Sequence, residues 1–252
     1  HRDLHSFPTR RSSDLLLDEL GVRQLHAAVG ASTGGFLCQL LATRYPERVR
    51  IVVPIGTGVE TTIQQRIMNF EQVTAIEGDP HFKGGDYYRG PKPDTGLALA
   101  RRIAPKTFVS LEMLRERARE EIVSHKPPHG WYEMNHPVES YMLHQGDKFV
   151  KRFDANTYLR ILDAWQWFDL VAEGGAADLH VLFERCRGQE FLVFSMDSDL
   201  SFPPAEQSKL VHALKRARVP VMWITVHSDK GHDAFLLEPK LFTPHLQQAL
   251  GH

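Results

Sequence analysis

The sequence predicts an α/β fold, a mostly parallel sheet flanked by helices and interrupted by a long helical insertion. Three observations predict it. Apolar runs rich in β-branched and aromatic residues occur in two pairs, Leu25–Val29 with Val49–Ile55 and Glu190–Met196 with Val219–Val226. A helix-favouring stretch separates the members of each pair, and strand, helix, strand within roughly 30 residues is the βαβ unit of parallel sheets. Between the pairs, from Glu60 to about Asp178, the periodicity is helical throughout.

In chain order, residues 5–15 (HSFPTRRSSDL) are polar, carry Pro8 and have neither helical nor strand periodicity. They resemble the translation of a sequencing-library adapter, so residues 1–15 are read as a non-native leader. The α/β core is then expected over 16–59 and 178–252, with the helical insertion at 60–177. Leu15–Leu20 followed by Gly21 reads as the end of an amphipathic helix. Leu25–Val29 has the apolar density of a strand covered on both faces, as does Val219–Val226. Gly34–Tyr45 reads as a helix, and Pro46-Glu47-Arg48 breaks it before the strand Val49–Ile55.

The insertion is expected to hold helices over Thr61–Glu77, Thr95–Ile103, Ser110–Ser124, Val138–Phe153 and Asn156–Val171, joined by loops rich in Gly, Pro and aromatics. That is enough chain to cap a site. Beyond Gly174-Gly175, Ala177–Cys186 and Pro203–Ala217 read as helices. Ala234–Leu250 reads as one terminal helix.

Composition narrows the function classes. The 30 basic and 31 acidic residues nearly cancel, which removes the electrostatic footprint of a nucleic-acid binder or a protein of anionic membranes. No apolar run reaches the ~18 residues of a membrane span. Cys38 and Cys186 lie far apart without C-x-x-C spacing, against a disulfide framework, a zinc ribbon or a redox pair. A cytoplasmic protein acting on small molecules, with no bound cofactor or metal, is the expectation.

The chemistry is concentrated where the first strand ends. Gly30-Ala31-Ser32-Thr33-Gly34 is a G-x-S-x-G between a strand-like and a helix-like run, the way a chain aims a serine hydroxyl out of a sharp turn. Chance supplies such a motif in a chain this long roughly one time in ten. A serine hydroxyl needs a base, normally a histidine oriented by a carboxylate. Both follow in the order Ser, Asp, His, and at the carboxyl ends of later strands, where open parallel sheets build sites. The acid candidates are Asp199 and Asp197. Asp199 is preferred because it lies further out of the strand; Asp197 reads more readily as a turn residue. The base candidates are His232, in a loop just ahead of a helix, and His227 at the strand end. Thr33, next after the serine, would offer a backbone N–H to an oxyanion. A second donor is expected from a loop after an earlier strand that residues 16–252 do not include, so an N-terminally truncated, catalytically impaired chain is anticipated.

These residues, together with VGASTGG, RYPERV, DPHFKGGDYY, GLALARRIA, VESYMLHQGDKFVKRFDANTYLRILDAWQWFDL, SMDSDLSFPPAEQ and GHDAFLLE, make the chain resemble the homoserine O-acetyltransferases, acyltransferases of the α/β-hydrolase fold. The resemblance covers nearly all of Leu16–Leu250. It implies Ser32 as nucleophile, Asp199 as acid, His232 as base, and Asp233 as a contact to the substrate amino group. It also implies acetyl-CoA or succinyl-CoA as co-substrate, L-homoserine as acceptor in methionine biosynthesis, and a homodimer formed through the insertion.

Two positions depart from the family pattern. Ala31 and Thr33 flank the serine where the family usually has Gly and Met. Val73 occupies the place of the arginine that clamps the substrate carboxylate, a loss for which Arg66 is the candidate replacement. That departure keeps a second outcome open, a serine esterase that passes the acyl group to water. A non-catalytic scaffold is the third. Val73→Arg is expected to improve homoserine use, and an unchanged KM for homoserine would refute the correspondence.

Overall fold

The structure, a computed structural model, describes residues 12–120, 134 and 136–251. The elements run α1 (Ser12–Glu19), β1 (Leu25–Ala31), α2 (Thr33–Arg44), β2 (Val49–Ile55), α3 (Ile63–Glu77), α4 (Asp94–Ile103), α5 (Pro105–Phe108), α6 (Leu111–Glu120), α7 (Pro137–Val150) and α8 (Ala155–Gln166). They continue with α9 (Leu170–Gly174), α10 (Leu179–Glu184), β3 (Glu190–Met196), α11 (Pro204–Arg216), β4 (Val221–Val226), α12 (Ala234–Leu237) and α13 (Thr243–Leu250). The chain divides into a sheet unit, residues 1–61 with 167–252, and a helical unit, residues 62–166. Residues 167–177, expected in the insertion, cluster with the sheet unit. Most of the expected leader lies outside the described residues, but its last four residues form the start of α1.

In the sheet unit the four strands are all parallel and ordered β1-β2-β3-β4. The two central strands are buried on both faces, as the apolar run Ile51–Ile55 of β2 requires. One face presents Ile51, Val53, Ile55, Leu192, Phe194 and Met196 to Phe242 and the partly buried Leu246 and Leu250. Helix α2 is apolar almost all round and correspondingly buried, with Phe36 stacked on Phe168 at 3.8 Å between ring centroids. Beyond β2 the chain leaves this unit beside the point where it returns. Glu60 and Asp169 form an antiparallel bridge, and Leu170 N–H donates to Val59 O at 2.9 Å.

Three expectations need correction. β1 and β4 are not covered on both faces: each pairs with a single strand among the described residues. Val29 is 49% exposed, and Met222 and Trp223 are 54% and 39% exposed. Apolar density does not distinguish a central strand from an edge one. The helix expected over Asn156–Val171 stops at Gln166, because Asp169 turns outward and caps α9 through the N–H groups of Val171 and Ala172. The terminal helix is broken after Leu237. Pro239 starts a separate short turn there, and a proline ring cannot continue a helix.

The helical unit packs α3 on α4 and α8, and α4 and α6 on α7. Its core is Ile76, Phe82, Tyr87, Leu97, Ala100, Phe149 and Ala155. The loop between α3 and α4 is tied down by two carboxylates. Buried Asp79 accepts from Gly96 N–H at 2.7 Å and from His81 N–H at 2.9 Å. Asp154 accepts from the Tyr87 hydroxyl at 2.7 Å, the Tyr88 hydroxyl at 3.3 Å, and the Thr157 N–H and hydroxyl at 2.9 and 3.1 Å. Burial pushes the Asp154 carboxyl up, but the hydrogen bonds from Tyr87 and Thr157 outweigh it and hold the group below the usual aspartate range.

A carboxylate lowered in the folded state stabilises the fold above the unfolded-state value of about 3.9. That stabilisation disappears as pH falls through the folded-state value. Asp154→Asn is therefore expected to unfold at lower temperature at neutral pH and to show a shallower loss of stability on acidification. Thermal melts between pH 7 and 3 check both.

Candidate active site

Ser32 sits at the junction of β1 and α2 with φ 55° and ψ −128°, a left-handed region that a serine enters only when its surroundings enforce it. They do so here through the backbone: Ser32 N–H donates to Ile55 O at 2.9 Å, and Ser32 O accepts from Gly35 N–H at 2.9 Å. A serine at a helix N-cap normally turns its hydroxyl back onto the first-turn N–H groups. In this backbone conformation Ser32 makes no such bond, so the hydroxyl is not spent on the cap. Thr33 is the first residue of α2, and its N–H belongs to the first-turn group that has no intrahelical acceptor.

The glycines around the serine have separate reasons. A Cβ on Gly30 would lie 2.2 Å from Gly34 O and 2.6 Å from Cys38 Sγ, and one on Gly35 would lie 2.4 Å from Thr57 Cγ2. Both let α2 close onto the strand ends. Gly34 has no such neighbour within 4 Å. Burial pushes the Cys38 thiol up to about 12, so this sulfur beneath the turn is an inert packing group.

The candidate acid and base lie in the loops after β3 and β4. Asp199, 2% exposed, follows β3, and its Oδ1 accepts from the N–H groups of Ser201 and Phe202, both at 2.8 Å. Its Oδ2 accepts from His232 Nδ1 at 2.8 Å. His232, 3% exposed, lies in the short turn Gly231–Asp233 after β4, between the rings of Phe202 and Phe235. With Nδ1 committed to the carboxylate, the imidazole has its tautomer and plane fixed, and Nε2 is the atom left to exchange a proton.

The alternative candidates also pair, but at the surface. Asp197 Oδ2 accepts from His227 Nδ1 at 2.8 Å, with the two side chains 44% and 85% exposed. Burial pushes the Asp197 carboxyl up, yet His227 and the Ser228 N–H together bring it below the usual range. Asp233 is half-buried next to His232. Arg66, in the helical unit, donates through Nη1 to Gln166 O at 2.5 Å, and Gln166 Nε2 returns a bond to Arg66 O at 3.4 Å.

Sequence reasoning missed the residues that shape the loop after β2. Gly56 has φ +53°, and a Cβ there would lie 2.6 Å from Met196 Cε, 3.3 Å from Asp199 Oδ2 and 3.5 Å from His232 Cε1. Two buried amides hold the loop: Gln39 Nε2 donates to Gly58 O at 2.9 Å and Gln207 Nε2 to Thr57 O at 2.8 Å. Gly-x-Gly after a strand was the available signal.

A strained serine at a strand-to-helix turn, followed in chain order by a buried aspartate and histidine on neighbouring loops, is the arrangement of one large fold family, and the family model described as alpha/beta hydrolase fold matches residues 2–239. The chain belongs to the α/β-hydrolase family. It is similar to homoserine O-acetyltransferase from Rhodospirillum rubrum, 40% identical over 240 residues that cover 94% of this chain and 60% of that protein. The corresponding protein of Mesorhizobium japonicum is 36% identical, over 92% of this chain and 60% of its own length. The chain thus spans about three fifths of the length of these curated relatives. Among solved structures, homoserine O-acetyltransferase from Bacillus anthracis superposes with a TM-score of 0.85 at 22% identity, over 95% of this chain and 63% of that one. Esterase E22 superposes at 0.84 and 19%, over 94% and 64%. At these identities the two structures speak for the fold.

Gly56→Ala is expected to destabilise the sheet unit by about 1–3 kcal/mol through overpacking and backbone strain. At about 2–4 °C per kcal/mol for a chain this size, a thermal melt resolves it.

Proposed function

We propose that the protein transfers an acyl group from an acyl-CoA thioester to the hydroxyl of L-homoserine through an acyl-serine on Ser32. The observation that carries this reading is the buried hydrogen bond between Asp199 and His232, on the same carboxyl edge of the sheet as Ser32. The 36–40% identity to proteins named homoserine O-acetyltransferase, over 90–94% of the chain, supports the substrate class. The relative from Rhodopirellula baltica, 35% identical, is named a bifunctional methionine biosynthesis protein.

In the first half-reaction His232 Nε2 takes the proton of the Ser32 hydroxyl as the oxygen attacks the thioester carbonyl. Asp199 stabilises the imidazolium, and the Thr33 N–H donates to the tetrahedral oxyanion. Collapse expels the CoA sulfur, which takes the proton back from His232 and leaves acyl-Ser32. In the second half-reaction the homoserine hydroxyl gives its proton to His232 and attacks the ester carbonyl, and collapse returns that proton to Ser32. Asp233, adjacent to His232, is the candidate partner for the homoserine ammonium. The donor is acetyl-CoA or succinyl-CoA, used as a co-substrate, and no resident cofactor or metal enters the scheme.

Assembly as a homodimer through the helical unit is part of the proposal. Ile63, Ile67 and Phe70 are 73%, 55% and 66% exposed and recur at helical spacing along α3, an apolar stripe suited to a second copy. No helix among the described residues is long and apolar enough to cross a membrane.

Incubation with acetyl-CoA, with and without homoserine, tests the activity. Homoserine-dependent CoA release is the expected outcome. Acceptor-independent release assigns the protein to ester hydrolysis, and absence of both in a version extended at its N-terminus to the relatives' length refutes the reading. Ser32→Ala is expected to abolish acyl-enzyme formation. Asp199→Asn, which presents an amide N–H where the imidazole N–H must donate, is expected to lower kcat by roughly 10⁴-fold, as the same change does in serine-protease triads. Mass spectrometry of the acylated chain and steady-state kinetics read the two.

A further inference from the structure

Three consecutive side chains of the Asp197-Ser198-Asp199 turn reach the loop 227–232 at three successive points. Asp197 accepts from His227 Nδ1 at 2.8 Å and from Ser228 N–H at 3.1 Å. The Ser198 hydroxyl donates to Ser228 O at 2.5 Å and accepts from Gly231 N–H at 3.0 Å. Asp199 takes His232. The outer two contacts belong to the site and to its surface counterpart; the middle one belongs to neither.

Ser198 does something that neither neighbour can do. A hydroxyl donates and accepts at once, whereas a carboxylate only accepts. It therefore closes the turn from Ser228 to Gly231 from inside, satisfying one carbonyl and one N–H that the tight backbone leaves over. Gly231 has φ +72°, so the turn also depends on a residue free to adopt the left-handed region. Ser228 is held on its other side, where its hydroxyl donates to Glu238 Oε2 at 2.5 Å and accepts from Lys230 N–H at 3.1 Å. The residue immediately after Gly231 is His232, so the direction in which the Gly231 N–H is anchored sets where the imidazole emerges.

We propose that Ser198 is a positioning residue for His232: its hydroxyl, bridging Ser228 O and Gly231 N–H, fixes the turn that delivers the imidazole to Asp199. The inference rests on the reading of His232 as the base, but its geometric half is testable without any substrate. An imidazole displaced by about 1 Å loses catalytic competence by up to 10²-fold even when every group is present.

The experiment compares the 252-residue chain with its Ser198→Ala and Ser198→Thr variants. Ser198→Cys, close in size and weak in hydrogen bonding, replaces Ser198→Ala if that variant fails to fold. Two measurements are made. The first is the rate of Ser32 acylation by p-nitrophenyl acetate. The second is the proton NMR signal of the His232 Nδ1–H that Asp199 holds at 2.8 Å, assigned by its disappearance in His232→Gln. Ser198→Ala is expected to slow acylation by roughly 10- to 100-fold and to move or broaden that signal. Ser198→Thr is expected to stay near wild type in both. An unchanged Nδ1–H signal in Ser198→Ala overturns the proposal, whether or not acylation slows. If the unaltered chain is not acylated, the NMR signal alone decides whether Ser198 positions His232.

Discussion

The hydrogen bond between Asp199 and His232 is the constraint on which the rest of the sheet unit depends. Both partners are almost completely buried, where an unpaired carboxylate or imidazole would be costly, so each has to be delivered to the other, and the second carboxylate oxygen has to be satisfied as well. Asp199 achieves this by giving Oδ1 to two backbone N–H groups of its own turn. The parallel register that aligns the ends of β3 and β4 brings the two loops to the same edge. Gly56 matters for the same reason, since a side chain on the end of β2 would occupy the volume around this pair.

Much of this was legible in the sequence because the signals are local. The short apolar, β-branched and aromatic runs of β2 and β3 read as strands, and G-x-S-x-G between a strand and a helix has a direct steric meaning, realised at Gly30. Chain order left two pairs open, and loop position selected Asp199 and His232, which the structure pairs in the interior, over the exposed pair Asp197 and His227. Position along the loop was the useful criterion: Asp197 and His227, each the first residue beyond its strand, are exposed, whereas Asp199, third after β3, and His232, sixth after β4, are buried.

What stayed illegible depends on neighbours that no local pattern records. Edge and central strands share a composition, so β1 and β4 read as covered. The break after Leu237 hangs on Pro239, which within an apolar amphipathic stretch reads as a tolerated kink. Asp169 passed for an interior helical residue because capping is a property of where the backbone turns, not of the residue alone. Gln39 and Gln207, which hold the loop after β2, look like ordinary helix-surface amides until the loop carbonyls they serve are in view. Ser198 was hidden between two more conspicuous acids.

The ladder of contacts from residues 197–199 to the loop 227–232 spans sequence separations of 30 to 33 residues. The two loops are thereby locked in length relative to one another, since inserting or deleting one residue in either would shift every rung and present a backbone atom where a side chain is needed. The intervening α11 and the turn before β4 contribute no rung. Changes of chain length between the third and fourth strands are accordingly best accommodated in that outer stretch, and the six-residue loop and its three-residue counterpart form a single mechanical unit.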